Sequence, residues 1–88
     1  MLELRLRSGQ VVSFDGRVLE VFADGEPSRR FHIVQIRGSE PVGLADGVRT
    51  LSLENGSVML SFARDEAPAC ARLVAAIGEA RAALAARL

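Results

Sequence analysis

The stretch GQVVSFDGRVLEV, residues 9–21, decides the fold, because two short alternating segments meet there at Asp15-Gly16. This dipeptide tolerates the positive φ angles that tight hairpin turns require. A two-residue turn predicts that Val12 pairs with Leu19 across an antiparallel hairpin. The pairing collects four apolar side chains on one face of the hairpin, namely Val12, Phe14, Leu19 and Val21.

Similar turn dipeptides recur at Asp24-Gly25, Asp46-Gly47 and Asn55-Gly56. The segments between them are rich in Val, Ile, Leu, Phe and Thr, as strands prefer. A two-residue turn at Asn55-Gly56 predicts that Leu51 pairs with Leu60. The first 63 residues therefore indicate an antiparallel meander.

Two other segments extend the meander. The opening residues alternate in polarity, and a three-residue turn at Ser8–Gln10, with Gly9 in the left-handed region, predicts that Leu6 pairs with Val12. Residues 29–36 (RRFHIVQI) are predicted to form one strand covered on both faces. Residues 37–41 (RGSEP) are predicted to turn, and residues 41–44 to form a short edge strand.

The period changes at residue 64, where Arg64-Asp65-Glu66-Ala67-Pro68 is typical of a helix start. Asp65 is the expected N-cap. We expect a helix over residues 66–87, about 33 Å long. Its apolar stripe recurs every three or four positions and consists of Cys70, Leu73, Ile77, Ala80 and Leu84.

A length of 88 residues fits one domain, residues 1–88, with strands in residues 2–63 and the helix in residues 66–87. The predicted class is α+β and mainly β. About seven antiparallel strands would form a bent sandwich or a partly open barrel, and the C-terminal helix would cap its open end.

Composition narrows the possible partners. Lys and Arg together number 11, as do Asp and Glu, and all the basic residues are arginines. A net charge of zero predicts no nucleic-acid binding and does not favour a membrane surface.

The single cysteine excludes a disulfide framework, and no apolar run reaches the length needed to cross a bilayer. The alternating, charged N-terminus is unlike a signal peptide, so we expect a cytoplasmic protein.

The order of these elements resembles the pleckstrin-homology-like superfold, especially its small bacterial members. The resemblance rests on residues 9–21, on the strand Arg30-Phe31-His32-Ile33-Val34-Gln35-Ile36, and on the helix after Pro68. It covers nearly the whole chain and implies a bent sandwich or partly open barrel capped by the helix. Unlike many eukaryotic members, the chain has no Trp in the helix. Of the basic cluster found in phosphoinositide-binding members, only Arg5 and Arg7 are present.

No residue pattern points to catalysis. His32 is the only histidine, and its alternate neighbours along the strand supply neither a general-base partner nor metal ligands. Cys70 belongs to the apolar stripe and is interpreted as a core residue. Nucleophile-elbow, dinucleotide and phosphate-loop motifs are absent from the sequence. We therefore expect no enzyme activity, cofactor or metal.

Two candidate binding regions follow. Five arginines could bind an anion. The favoured set is Arg5, Arg7, Arg29 and Arg30, and Arg37 is the fifth candidate. Interspersed Asp and Glu also fit an ordinary solvated surface. The helix end is the second candidate, because Ala80, Leu84 and Leu88 are expected to overhang the sheets and accept a partner. Fraying of the last turn is the alternative.

The function expected from these features is a non-catalytic module that binds a protein partner or associates with itself, through the helix end and the sheet edge near residues 41–44. The alternative is recognition of an anionic ligand, such as a phospholipid headgroup, by the four favoured arginines.

Overall fold

A computed structural model describes residues 1–41, 47–54 and 56–87, and for residues 39–41 it describes the backbone alone. The elements follow in chain order: β1 (Leu2–Arg5), β2 (Val11–Phe14), β3 (Val18–Phe22), β4 (Arg29–His32), a 3-10 turn (Ile33–Gln35), β5 (Ile36–Pro41), β6 (Val48–Leu53), β7 (Gly56–Ser61), a second 3-10 turn (Arg64–Glu66) and helix α1 (Ala67–Arg87).

The strands form two antiparallel sheets, one with the order β1-β2-β3-β4 and one with the order β5-β6-β7. The predicted class, mainly β with a C-terminal helix, is confirmed. No backbone ladder joins the two sheets among the described residues, so the strands do not close into a barrel. The molecule measures 37 × 28 × 25 Å.

One hydrophobic core lies between the sheets and the helix. It contains the predicted apolar faces of both hairpins and the predicted helix stripe. Its fully buried members come from all three layers and include Val12, Leu19, Ile36, Leu51, Leu60 and Leu73. Ala80 and Leu84, further along the stripe, are partly buried against the same core.

The predicted faces are right, but the predicted registers are wrong by two residues in the three hairpins for which a pairing was predicted. The observed pairs are Leu4 with Val12, Val12 with Val21, and Leu51 with Val58. Because side chains alternate with a period of two, this shift keeps the same residues on the buried face. Asn55 lies outside the described residues.

The turn between β2 and β3 is longer than predicted because the Asp15 side chain builds it. Its Oδ1 accepts hydrogen bonds from the amides of Arg17 and Val18, both at 2.8 Å. Gly16 takes a φ of +96° inside this turn. The carboxylate thereby satisfies two backbone amides inside the turn.

The predicted single strand over residues 29–36 is wrong, since the chain turns there to pass from one sheet to the other. His32 Nδ1 accepts from the amide of Val34 at 3.3 Å, and Gln35 Oε1 accepts from the amide of His32 at 2.8 Å. These reciprocal bonds form a capping box around the first 3-10 turn. The predicted turn over residues 37–41 is also wrong, because these residues belong to β5.

Asp65 does not cap the helix as predicted. Glu66 provides the hydrogen bonds at the helix start instead. Its carboxylate accepts from the amide of Ala63 at 2.8 Å and from the amide of Arg7 at 3.2 Å. Asp65 forms a two-pronged ion pair with the Arg7 guanidinium, with bonds of 2.9 and 2.6 Å. Both acids tie the β1–β2 turn to the helix start.

The Gln10 side chain links the two sheets. Its Nε2 donates to the carbonyl of Met59 at 2.9 Å, and its Oε1 accepts from the amide of Ser61 at 2.8 Å. The amide thus pairs with β7 as a neighbouring strand would, and it covers part of an edge that would otherwise be open.

Candidate functional site

The four favoured arginines do not converge. Arg5 lies on β1 and Arg29 and Arg30 lie on β4, at opposite edges of the four-stranded sheet. Two strands intervene, so the edges are about 14 Å apart. Arg29 pairs with Val21, of the buried face, whereas Arg30 pairs with Glu20 and projects from the opposite face.

These arginines also have partners of their own. Arg5 lies 3.3 Å from Glu3, Arg7 binds Asp65, and Arg30 lies 3.7 Å from Glu20. The Arg29 guanidinium stands over the Phe31 ring, 5.1 Å from its centre. An anion bound there would compete with these partners, and no common cavity gathers the four side chains among the described residues.

The predicted helix-end residues have different surroundings. Ala80 and Leu84 are partly buried against the core and therefore do not overhang it. Leu88 lies outside the described residues, as do residues 42–44 of the predicted edge strand. Pro41 ends β5, which lies at an edge of the three-stranded sheet.

His32 and Cys70 both hold structural positions. His32 is exposed and caps the first 3-10 turn. Cys70 is buried in the core, and its burial, followed by the nearby Glu66 carboxylate, raises the pKa of the thiol. A raised pKa keeps the thiol protonated and unreactive at neutral pH.

In the part of the chain that the structure describes, no three His, Cys, Asp or Glu side chains gather where they could hold a metal ion. None of the described helices combines the length and the hydropathy that crossing a membrane would require.

Two open grooves flank Leu84 where the helix passes the corner between the sheets. The first, of about 620 Å³, separates the helix from the first 3-10 turn and the start of β5; its charged lining is Arg37, Glu54 and Arg81. The second, of about 460 Å³, separates the helix from the β2–β3 turn. Ile33 and Leu84 line both grooves. We call the two grooves together the Leu84 surface.

The Leu84 surface has an apolar centre. Ile33 is buried and forms its floor, and Leu84 is half-buried. Val34 stands at the rim with 61% of its surface exposed. The capping box at His32 and Gln35 forces this exposure, because it holds residues 33–35 in a tight turn that cannot tuck successive side chains inward.

Arginines stand on both sides of this centre. Arg37 and Arg81 line the first groove, and Arg17 and Arg87 line the second. Within the described residues, Arg37, Arg81 and Arg87 form no ion pair. Two carboxylates, Asp15 and Glu54, also line the grooves, so the surface is locally positive although the chain is neutral overall.

The Asp15 carboxylate is already engaged. Its hydrogen bonds from the amides of Val18 and Arg17 lower the pKa of the carboxyl below its ordinary value. The group therefore stays charged at neutral pH, and its Oδ1 is directed into its own turn. It offsets Arg17 only in part.

Sequence reasoning identified Leu84 and named Arg37, but it missed Arg17, Arg81 and Arg87. A local signal was present, because Arg81 and Arg87 stand three residues before and after Leu84 and therefore lie on either side of it along the helix surface. Arg17 could not be found this way, since only the tertiary fold brings the β2–β3 turn to the helix.

Comparison of the chain with protein families, with curated proteins and with solved structures finds no match.

Proposed function

We propose that the chain is a non-catalytic intracellular binding module that docks another protein at the Leu84 surface. The observation that carries the proposal is the exposure of Val34 beside the half-buried Leu84, inside a concave surface whose arginines lack ion-pair partners among the described residues. Concave apolar surface with a polar rim is the usual form of a recognition site.

The shape of the surface favours a protein segment over a small molecule. Small-molecule sites enclose most of the ligand, whereas both grooves are open and run along opposite sides of one helix. A segment of chain can lie across Leu84 and contact both grooves. The strand order and the capping helix also support the pleckstrin-homology-like resemblance, although a shared fold does not identify a partner.

Recognition of an anionic headgroup by Arg5, Arg7, Arg29 and Arg30 is the weaker proposal. Three of these arginines have carboxylate partners, and the groove beside Arg29 and Arg30 also contains Glu54. Self-association through the Leu84 surface remains the other form of protein contact, and it predicts a concentration-dependent mass that Val34→Glu would abolish.

The test compares two exposed apolar residues. Val34→Glu places a charge at the rim of the first groove of the Leu84 surface. Met59→Glu places one at a similarly exposed position on β7, outside both grooves; Val34 is 61% exposed and Met59 57%. Ala80 and Leu84 are unsuitable for this purpose, because they pack against the core.

The tagged chain and both variants are incubated with lysate of the cells that make the protein, and their masses are measured by sedimentation. The proposal predicts a bound protein, or a dimer, that Val34→Glu loses and Met59→Glu keeps. Equal capture and equal mass for all three chains would contradict it.

A further inference from the structure

The arrangement of charge on the Leu84 surface points to the chemistry of its partner. The apolar floor of Ile33 and Leu84 runs between two pairs of arginines, with Arg37 and Arg81 on one side and Arg17 and Arg87 on the other. An apolar side chain seated on this floor would have guanidinium groups on both flanks. A guanidinium group can bind a carboxylate through two parallel hydrogen bonds, because its planar fork of N–H donors matches the two carboxylate oxygens.

The carboxylates described on this surface are half as many as its arginines, so a net positive charge remains. Among the described residues, Glu54 is the only acid that lines the first groove, against Arg37 and Arg81. Asp15 directs its Oδ1 to the amides of its own turn in the second groove, against Arg17 and Arg87. Each groove therefore holds two guanidinium groups and one carboxylate.

We infer that the Leu84 surface takes a segment of another protein in which one large apolar side chain stands between carboxylates on both sides. This inference rests on the proposed function and specifies the partner of the same surface. The apolar side chain covers Leu84 and Val34, beside the buried Ile33, and removes their exposed area from water. The flanking carboxylates pair with arginines of the two grooves and fix the segment across the helix.

The same features argue against a membrane as the occupant. Attraction to an anionic leaflet needs a cluster of basic residues presented together to a plane. Here the arginines stand on both sides of a recessed apolar floor, and Glu54 and Asp15 lie among them. A narrow segment with alternating chemistry matches this arrangement better than a flat surface of headgroups.

The experiment uses short fluorescein-labelled peptides and the full chain, with binding measured by fluorescence anisotropy. One peptide has a central leucine with aspartates on both sides, a second replaces the aspartates by serine, and a third replaces them by lysine. Arg81→Glu is compared with Arg72→Glu, since both arginines are exposed on the same helix and Arg72 lines neither groove. Vesicles of phosphatidylserine with phosphatidylcholine are tested in parallel.

The acidic peptide is expected to bind at least about fivefold more tightly than the serine peptide, and Arg81→Glu to lose about that factor, the upper range for an exposed ion pair. Arg72→Glu should bind as the unchanged chain does, and the lysine peptide should prefer Arg81→Glu. Raising the salt from about 0.05 to about 0.3 M should weaken the acidic peptide.

Equal binding of the acidic and serine peptides, or none by either, would overturn the inference. So would equal losses in Arg81→Glu and Arg72→Glu, or vesicle binding that Arg81→Glu abolishes. The proposed function is judged separately: if Val34→Glu abolishes capture of a protein that Arg81→Glu still captures, the docking surface stands and only its preference for acidic partners fails.

Discussion

Two glycines respond to the same substitution in opposite ways. Gly47 has a φ of +101°, and a Cβ there would collide with the carbonyl oxygen of Phe62. Gly78 lies inside the helix, and a Cβ there meets nothing within 4 Å. We predict that Gly47→Ala lowers the free energy of unfolding by about 2 kcal/mol or more. Gly78→Ala should raise it by up to about 1 kcal/mol.

Urea unfolding followed by far-ultraviolet circular dichroism measures both changes, because the chain has no Trp or Tyr to report on them by fluorescence. If Gly47→Ala left the free energy of unfolding unchanged, this result would contradict the close approach of residue 47 to Phe62.

Asp15 makes stability depend on pH. The amides of Val18 and Arg17 lower the pKa of its carboxyl in the folded chain, whereas the unfolded chain should titrate near the ordinary value of 3.8. A lowered folded pKa adds stability that is present above the unfolded pKa and is lost as the pH falls through the folded pKa. Asp15→Asn should therefore be less stable than the unchanged chain at neutral pH.

The difference between the two chains should shrink as the pH falls below about 3.8. Urea unfolding repeated across this range measures it, and the comparison cancels the titration of the other carboxylates. A constant difference from neutral pH to acid would show that the carboxylate charge contributes nothing to the turn.

At the scale of single elements, two neighbouring acids at the helix start, Asp65 and Glu66, contribute to stability in different ways. Glu66 accepts from two backbone amides, whereas Asp65 only pairs with an exposed guanidinium. We predict that Glu66→Ala costs about 1–2 kcal/mol, as loss of a helix cap does. Asp65→Ala should cost less than about 1 kcal/mol, because solvent screens the pair.

Thermal unfolding of the two variants under identical conditions checks this order. A larger loss of stability for Asp65→Ala than for Glu66→Ala would indicate that Asp65 caps the helix, as the sequence pattern predicted.

The elements also show what the sequence can and cannot predict. Alternation assigned Val12, Leu19 and Leu51 to the buried face correctly, because burial follows a period of two. It could not distinguish registers that differ by two residues, since both present the same face. The choice depends on turn hydrogen bonds such as those of Asp15.

The corner after β4 was missed for a similar reason. Residues 29–36 have the composition of a strand, yet His32 and Gln35 cap a 3-10 turn there. The capping box pairs two residues that are three positions apart, as is common at helix starts. Histidine is an unusual residue in such a box, so the pattern was not apparent in the sequence. This error hid the exposed Val34 and therefore half of the Leu84 surface from sequence reasoning.

At the scale of the whole molecule, Gln10 holds the two sheets together at one edge. Its amide makes two hydrogen bonds to the β7 backbone. Gln10→Ala should lower the free energy of unfolding by about 1–2 kcal/mol. Hydrogen exchange should accelerate at the Ser61 amide, which donates to Gln10, more than at Leu60, which lies in the β6–β7 ladder.

Equal acceleration at both amides would mean that the substitution only lowers global stability. In that case Gln10 would not be the specific link between the sheets.

The central claim is that another protein contacts the Leu84 surface, and two exposed alanines of α1 test it directly. Ala85 lines the first groove, whereas Ala71 lies near the other end of the helix and lines neither groove. A photo-crosslinking amino acid is placed at each position in turn, and the chain is irradiated in the cells that make it. We predict a covalent adduct with another protein from position 85 and none from position 71. The same adducts from both positions, or none from position 85, would contradict the account.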